Sequence, residues 1–355
     1  MQKNIFFIPI WRKTLATLLL GILTIPFCYA EKPEITLLNW SDYIDPALIA
    51  EFQEEKQVIV KQKFYSSDDD RDDILQDANA EGFDVVIVNG ANINSYIKRG
   101  WAARIPDKEI PNRKHINPRF LKLFPDAAQY AVPYFWGTLG IAYRSDLVNK
   151  TMSSWNDIFK PTEDMHNKIA MLGSSRDLVG MALKAHGYSV NSESKQELKA
   201  AENLIQQQAP YVKSYSYISL LEDSGLVTGE IVTAMVFSGD ALVLKEFNEN
   251  IQYVVPIEGG NVWVDFILVL SQSTNKKLAM EFINFLNEPK NAARQAEFVY
   301  YPTPNQAAEK FLPEDFLNNP EIYPSKDVLE KSESYKKISP RAMKKRHEIF
   351  SRVRK

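Results

Sequence analysis

One cysteine, Cys28, is all the thiol that this chain of 355 residues carries. A lone thiol cannot close an intramolecular disulfide, build a Cys-rich metal centre or form a Cys-x-x-Cys redox pair. Histidine is almost as scarce. His115, His166, His186 and His347 include no pair at the helical spacing of a metal site, and each reads as a surface or loop residue. There is no G-x-S-x-G elbow, no H-E-x-x-H, no Walker A loop and no G-x-G-x-x-G. These gaps leave no sequence ground for proposing an enzyme, although an exported α/β hydrolase stays open as an alternative. The run Asp68-Asp-Asp-Arg-Asp-Asp73 fails as a calcium loop, because Asp73 and Asn79 stand where Gly and Glu are required. It reads instead as the acidic first turn of a helix.

Long apolar stretches are missing as well. Leu15 to Phe27 is uncharged, and as a helix it would reach about 20 Å against a bilayer core of about 30 Å. Lys3, Arg12 and Lys13 precede it and Cys28-Tyr-Ala30 follows, which is the layout of a secretory signal peptide over residues 1–30. Cleavage is expected after Ala30, giving an exported protein; an uncleaved anchor is the alternative. Cleavage removes the only cysteine and shifts the formal charge from −3 to −6 by taking away those three cations. An acidic chain is a poor partner for nucleic acid. The basic run from Lys336 to Lys355 reads as a solvated face, or as a surface that docks an anionic partner.

The body of the chain alternates. Strands are expected at 35–39, 58–64, 83–88, 168–172 and 231–237, and helices at 46–55, 72–80, 94–99, 178–186, 196–208, 279–286 and 292–298. Strand–helix pairs of this length predict an α/β fold on a largely parallel sheet covered on both faces. Ala131-Val-Pro-Tyr-Phe-Trp-Gly137 has no clear period and suits a crossing between two domains. Two α/β domains flanking a cleft are expected.

Asn39-Trp-Ser-Asp-Tyr-Ile-Asp-Pro46 follows the first strand. Taken alone it is a helix start with Ser41 or Asp42 as cap. Aromatic and acidic residues recur together elsewhere, however, at Phe237-Ser-Gly-Asp240, at Trp263-Val-Asp265 and near Tyr301. Several of these lie at strand ends, where open α/β sheets place ligands. Aromatic faces offer an electron-rich wall to methylenes and cations, and carboxylates anchor ammonium groups. The combination suits a linear organic cation.

With NWSDYIDP, FDVVIVNG (83–90), VPYFWGTLGIAY (132–143), SWNDIF (154–159), SSRDLVGMAL (174–183), FSGDALV (237–243), PIEGGNVWVDF (256–266) and YPTPNQAA (301–308), the chain resembles the periplasmic spermidine- and putrescine-binding proteins of bacterial ABC importers. The resemblance implies a two-lobed, type II periplasmic binding protein fold with its ligand in the interdomain cleft. It implies a first lobe of residues 31–137 plus 265–305 and a second of 138–264 plus 306–355. It maps ligand contacts onto Trp40, Asp42 and Tyr43, with Ser41 as the putrescine-type form of that loop. Asp265 beside Trp263 takes an amine, Asp177 and Tyr301 take the family's acid and tyrosine, and Asp240 matches putrescine-type members. Phe237 replaces the family's tryptophan, Ser174 an acid, and the loop at Asn92 lacks the usual serine or tyrosine. The implied protein is a non-enzymatic monomer without cofactor or metal. It hands a polyamine to the membrane subunits of an importer or, alternatively, reports a polyamine such as norspermidine or spermidine to a membrane sensor.

Overall fold

The computed structural model describes residues 32–354. The expected signal peptide and its cleavage site lie outside the described residues. Nine strands form one sheet: β1 Glu34–Asn39, β2 Ile59–Phe64, β3 Val85–Asn89, β4 Ala131–Arg144, β5 Ile169–Met171, β6 Val212–Tyr215, β7 Thr233–Phe237, β8 Ile251–Val254 and β9 Val262–Val269. Their order is β2-β1-β3-β9-β4-β7-β5-β6, with β8 joined to β4. The expectation of a largely parallel sheet needs correction. β1 pairs in parallel with β2 and β3, and β5 with β6 and β7, but every ladder made by β4 and β9 is antiparallel. Two parallel groups thus flank an antiparallel centre.

That centre is what the sequence hid. The segment beginning at Ala131 is no loose crossing but the start of a 14-residue strand buried along its whole length. It holds Pro133, and its register shifts between Pro133 and Phe135, a bulge that relieves the missing amide donor. One edge of β4 pairs with β9 over residues 131–138, and beyond Thr138 the other edge pairs with β7 from Leu139 to Tyr143. A single strand therefore carries the sheet from one half to the other.

Helices cover both faces. Those that matter below are α1 Pro46–Lys56, α2 Asp68–Asp77, α3 Ile93–Lys98, α4 Ser175–Ala185, α5 Lys195–Gln208, α6 Ser238–Phe247, α7 Lys276–Leu286, α8 Pro289–Val299 and α9 Pro340–Ser351. α5 shows the rule that forms them, since Leu198, Ala201, Leu204 and Ile205 repeat at helical spacing and are its buried stripe. In the first half, Leu37, Ile87 and Ile267 pack with Phe52 and Phe282 on one face of the sheet, and Leu38, Val88 and Phe266 with Tyr96 and Phe120 on the other. In the second half, Ile141, Met171 and Met235 pack with Leu178 and Ile205, and Ala142, Ala234 and Val236 with Leu244. Ala308, Leu312 and Phe316 belong to the first half's core, although they follow residue 305.

Two local expectations also change. Neither Ser41 nor Asp42 caps α1. The cap is Asp45, whose carboxylate accepts from the Ala47 N–H at 2.8 Å, followed by Pro46 at the first helical position. α2 begins four residues earlier than its apolar spacing suggested, because Ser67 caps it by accepting from the Asp70 N–H at 3.0 Å. The basic tail forms α9, and part of it faces inward. Arg346 is buried and donates to the carbonyls of Val190 and Ser192, while Lys345 and Arg352 pair with the buried Glu202.

Candidate functional site

A cleft of about 1480 Å³ opens at the carboxyl ends of the parallel strands of both halves. The loops after β1, β2 and β3 supply Trp40, Ser41, Tyr43, Tyr65 and Asn92, those after β5 and β6 supply Ser174 and Tyr217, and the first turns of α4 and α6 supply Asp177 and Asp240. Parallel strands point their carboxyl ends, and the loops that follow, toward one crevice. β9 crosses the floor between the halves and adds Trp263 and Asp265 from one side of its pleat, and Tyr301 comes from the turn after α8.

Two carboxylates lie deep in this cleft. Asp265 is 7% exposed and accepts from the Tyr43 hydroxyl at 3.1 Å. Burial, reinforced by the negative charge of Asp68, pushes its carboxyl up to about 7, although the Tyr43 bond and the positive charge of Arg71 pull the other way. Asp240, in the first turn of α6, accepts from the hydroxyls of Tyr301, at 3.0 Å, and Tyr217. Burial lifts it to about 6 against those two hydrogen bonds. A third acid, Asp177, stands in the first turn of α4 behind the cap Ser174 and accepts from Tyr335 at 2.7 Å; burial raises it also.

Aromatic rings join these acids. Tyr43 meets Tyr301 edge-on at 6.1 Å between centroids, Tyr301 meets Trp263 at 4.8 Å, and Trp263 meets Phe237 at 6.1 Å. Trp40 leans on Tyr65 at 4.4 Å. Tyr43 is fixed from behind, since Tyr134 donates to its carbonyl at 3.0 Å and Gln295 donates to Tyr134 at 2.8 Å. Two glycines make room for the wall. A Cβ on Gly137 would lie 2.5 Å from the Trp263 ring, and one on Gly239 would lie 2.5 Å from the Tyr301 ring. The buried indole N–H of Trp263 has no hydrogen-bond partner among the described residues.

Of the twelve residues expected from the sequence, Trp40, Ser41, Tyr43, Asn92, Ser174, Asp177, Phe237, Asp240, Trp263, Asp265 and Tyr301 line this one cleft. Asp42 does not. It is exposed, with φ of 54°, and the left-handed turn there carries it out of the lining while Ser41 and Tyr43 remain. Sequence reasoning missed Tyr65, Tyr217 and the start of the acidic run, Asp68 to Asp70, all of which line the cleft. The run looked sufficiently explained by a helix dipole; the available signal was its place directly after a strand end. His347 also reaches the cleft, with Nδ1 3.2 Å from Ser175 Oγ. Among the described residues no group of three His, Cys, Asp or Glu side chains is arranged to hold a metal ion, and no helix is long and apolar enough to cross a membrane.

Two α/β halves around a cleft lined by strand-end loops define a two-lobed solute-binding protein. Residues 47–324 match the family model of the bacterial extracellular solute-binding proteins, and the chain belongs to that family. It is 31% identical over 297 residues to the spermidine/putrescine-binding periplasmic protein of Salmonella typhimurium, covering 83% of this chain and 84% of that protein. It is 31% identical over 320 residues to the putrescine-binding periplasmic protein SpuD of Pseudomonas aeruginosa, covering 85% and 86%. Among solved structures, the spermidine/putrescine ABC transporter substrate-binding protein PotD of Streptococcus pneumoniae superposes with a TM-score of 0.81 at 29% identity, covering 91% of this chain and 98% of the other. The two-lobed architecture expected from the sequence is the one these relatives share.

Proposed function

We propose that this protein is a periplasmic, non-enzymatic polyamine-binding protein that closes on its ligand and presents it to the membrane subunits of an ABC importer. The observation that carries this reading is the pair Asp240 and Asp265. Each is a buried carboxylate raised by burial toward neutrality and set among aromatic rings. A buried acid in that state gains most from a cation placed beside it. Trp263, Phe237, Tyr301 and Trp40 supply the faces over which methylenes and ammonium groups lie, each cation–π contact being worth about 0.5–2 kcal/mol. Ser41, Tyr43, Asn92, Ser174 and Asp177 complete the proposed contacts. The names of the Salmonella and Pseudomonas relatives support the ligand class and the periplasmic setting, and that of the Streptococcus protein supports the transporter.

The cleft exceeds the roughly 300–1,000 Å³ of ordinary small-ligand sites, so ligand capture goes with lobe closure. The proposed lobes are residues 31–137 plus 265–305 and 138–264 plus 306–355. The first boundary sits at the point where β4 changes partner, between Thr138 and Leu139. The packing of Ala308, Leu312 and Phe316 favours moving the last boundary from residue 305 to beyond Ile322. Residues 33–355 form one compact unit. Titration calorimetry of that unit with putrescine, cadaverine, spermidine and norspermidine tests the proposal. Saturable heat at micromolar or lower concentration supports it; silence with all four overturns it.

A further inference from the structure

We infer that Tyr335, brought in by the C-terminal tail, is a positioning residue that orients the cleft carboxylate Asp177 toward an ammonium group of the bound polyamine. This rests on the polyamine reading above and deepens it.

The tail grips the first turn of α4 at three consecutive residues. His347 Nδ1 lies 3.2 Å from Ser175 Oγ, Arg176 donates to the Lys336 carbonyl, and Tyr335 donates to Asp177 Oδ1 at 2.7 Å. The Arg176 carbonyl, 3.5 Å from the same hydroxyl, is too distant to compete for its proton. Burial and the charge of Asp177 push the Tyr335 phenol well above its ordinary value, so it meets Asp177 as a donor.

The ring has a prepared seat. A Cβ on Gly180 of α4 would lie 3.0 Å from the Tyr335 hydroxyl, so glycine leaves the room that the phenol fills. The Arg176 guanidinium covers the ring at 4.7 Å from its centroid, which engages it with the tail. Two residues earlier, Glu333 fixes the segment. Its N–H donates to the Gly260 carbonyl and its carbonyl accepts from the Val262 N–H, both at 3.0 Å. Its carboxylate accepts from Lys184 at 3.0 Å and from Ser189 at 2.6 Å. Tyr335 is thus held between α4 and the start of β9, the strand that carries Trp263 and Asp265.

An aspartate side chain has several rotamers, and a fixed donor on one oxygen selects among them. The same bond opposes the protonation that burial favours at Asp177. The groups that face this carboxyl are Ser174, Tyr335 and Arg176, with Asp68 across the cleft. Tyr335 engages Oδ1, and a carboxylate has further lone pairs to offer an ammonium. Asp177 lines the cleft whereas Tyr335 does not, so the tyrosine acts through the acid rather than on the ligand.

The test is a double-mutant cycle read by calorimetric titration with spermidine, using wild type, Tyr335→Phe, Asp177→Asn and the double variant, with thermal melts of all four. Phe keeps the ring beside Gly180 and Arg176 and deletes only the hydroxyl. The expected result at pH 8 is a loss of about threefold to tenfold in Tyr335→Phe, and of less than about twofold when the same change is made in Asp177→Asn. The Tyr335→Phe loss should grow from pH 8 to pH 6, because without the donor Asp177 takes up its proton at higher pH. A lower melting temperature with unchanged affinity, an equal loss in both backgrounds, or a loss that shrinks toward pH 6 overturns the inference and leaves the polyamine reading intact. Wild-type protein that binds neither spermidine nor putrescine overturns that reading itself.

Discussion

Replacing Asp265 by Asn separates what this residue does for binding from what it does to stability, and the two effects have opposite signs. The carboxyl rises from its ordinary value of 3.8 to about 7 because it is buried, with the negative charge of Asp68 adding to the effect. At about 1.4 kcal/mol per pH unit, holding it ionised above pH 7 destabilises the unliganded fold by roughly 4 kcal/mol. Its folded value lies above its unfolded one, so between pH 4 and 7 the folded chain holds a proton that the unfolded chain has released. The stability it confers is then fully present below pH 4 and is lost as pH rises through 7. Asn carries no such penalty and still offers Tyr43 an acceptor. The stability gap between Asp265→Asn and wild type should therefore widen by about 2.5–3 kcal/mol in favour of the variant between pH 5 and pH 8. Urea melts of the ligand-free proteins at the two pH values measure this directly. Polyamine affinity at pH 8 should meanwhile fall at least about tenfold, since a charge-assisted hydrogen bond is worth about 1.5–3 kcal/mol. A variant that binds normally, or one whose stability tracks wild type at both pH values, would refute the reasoning.

Wild-type affinity should fall about tenfold from pH 8 to pH 6 as Asp265 takes up its proton, and further by pH 5 as Asp240, at about 6, follows; calorimetry at pH 7 in two buffers of different ionisation enthalpy should show proton release on binding. Gly239→Ala places a methyl against the Tyr301 ring, should destabilise the fold by about 1–3 kcal/mol and should weaken binding through the displaced Tyr301–Asp240 bond; an unchanged melt and affinity would contradict the packing described. Trp263→Leu stays apolar but removes the electron-rich face and part of the packing against Tyr301 and Phe237, so affinity should drop about threefold to thirtyfold and the melting temperature should fall as well.

Much of this was legible in the sequence because the helices and outer strands obey simple periods. α5 repeats its buried stripe at helical spacing, and Val85 to Val88 is an unbroken apolar run because β3 is covered on both faces. The central strand was not legible. Ala131 to Arg144 contains Pro133, two glycines and four aromatics, and it is a strand only because β9 and β7 supply ladder partners from far away in sequence. The same non-local effect decided the first loop. Asp42 and Tyr43 are neighbours in sequence, but a left-handed residue sends one to solvent and the other beneath Asp265. Asp68 went unread for a different reason. A helix dipole explains an acidic first turn completely, and only Arg71, buried between Tyr65 and Tyr96, reveals that one of those acids is held in place.

The central claim is that the cleft holds a linear organic cation between buried acids and aromatic faces. A crystal structure of the protein grown with norspermidine tests it most directly. The account predicts a ligand ammonium about 3 Å from the Asp265 carboxylate, methylenes lying along Trp263 and Tyr301, and the two lobes drawn together. A ligand bound outside the cleft, or one inside it whose nitrogens avoid both Asp240 and Asp265, would contradict it.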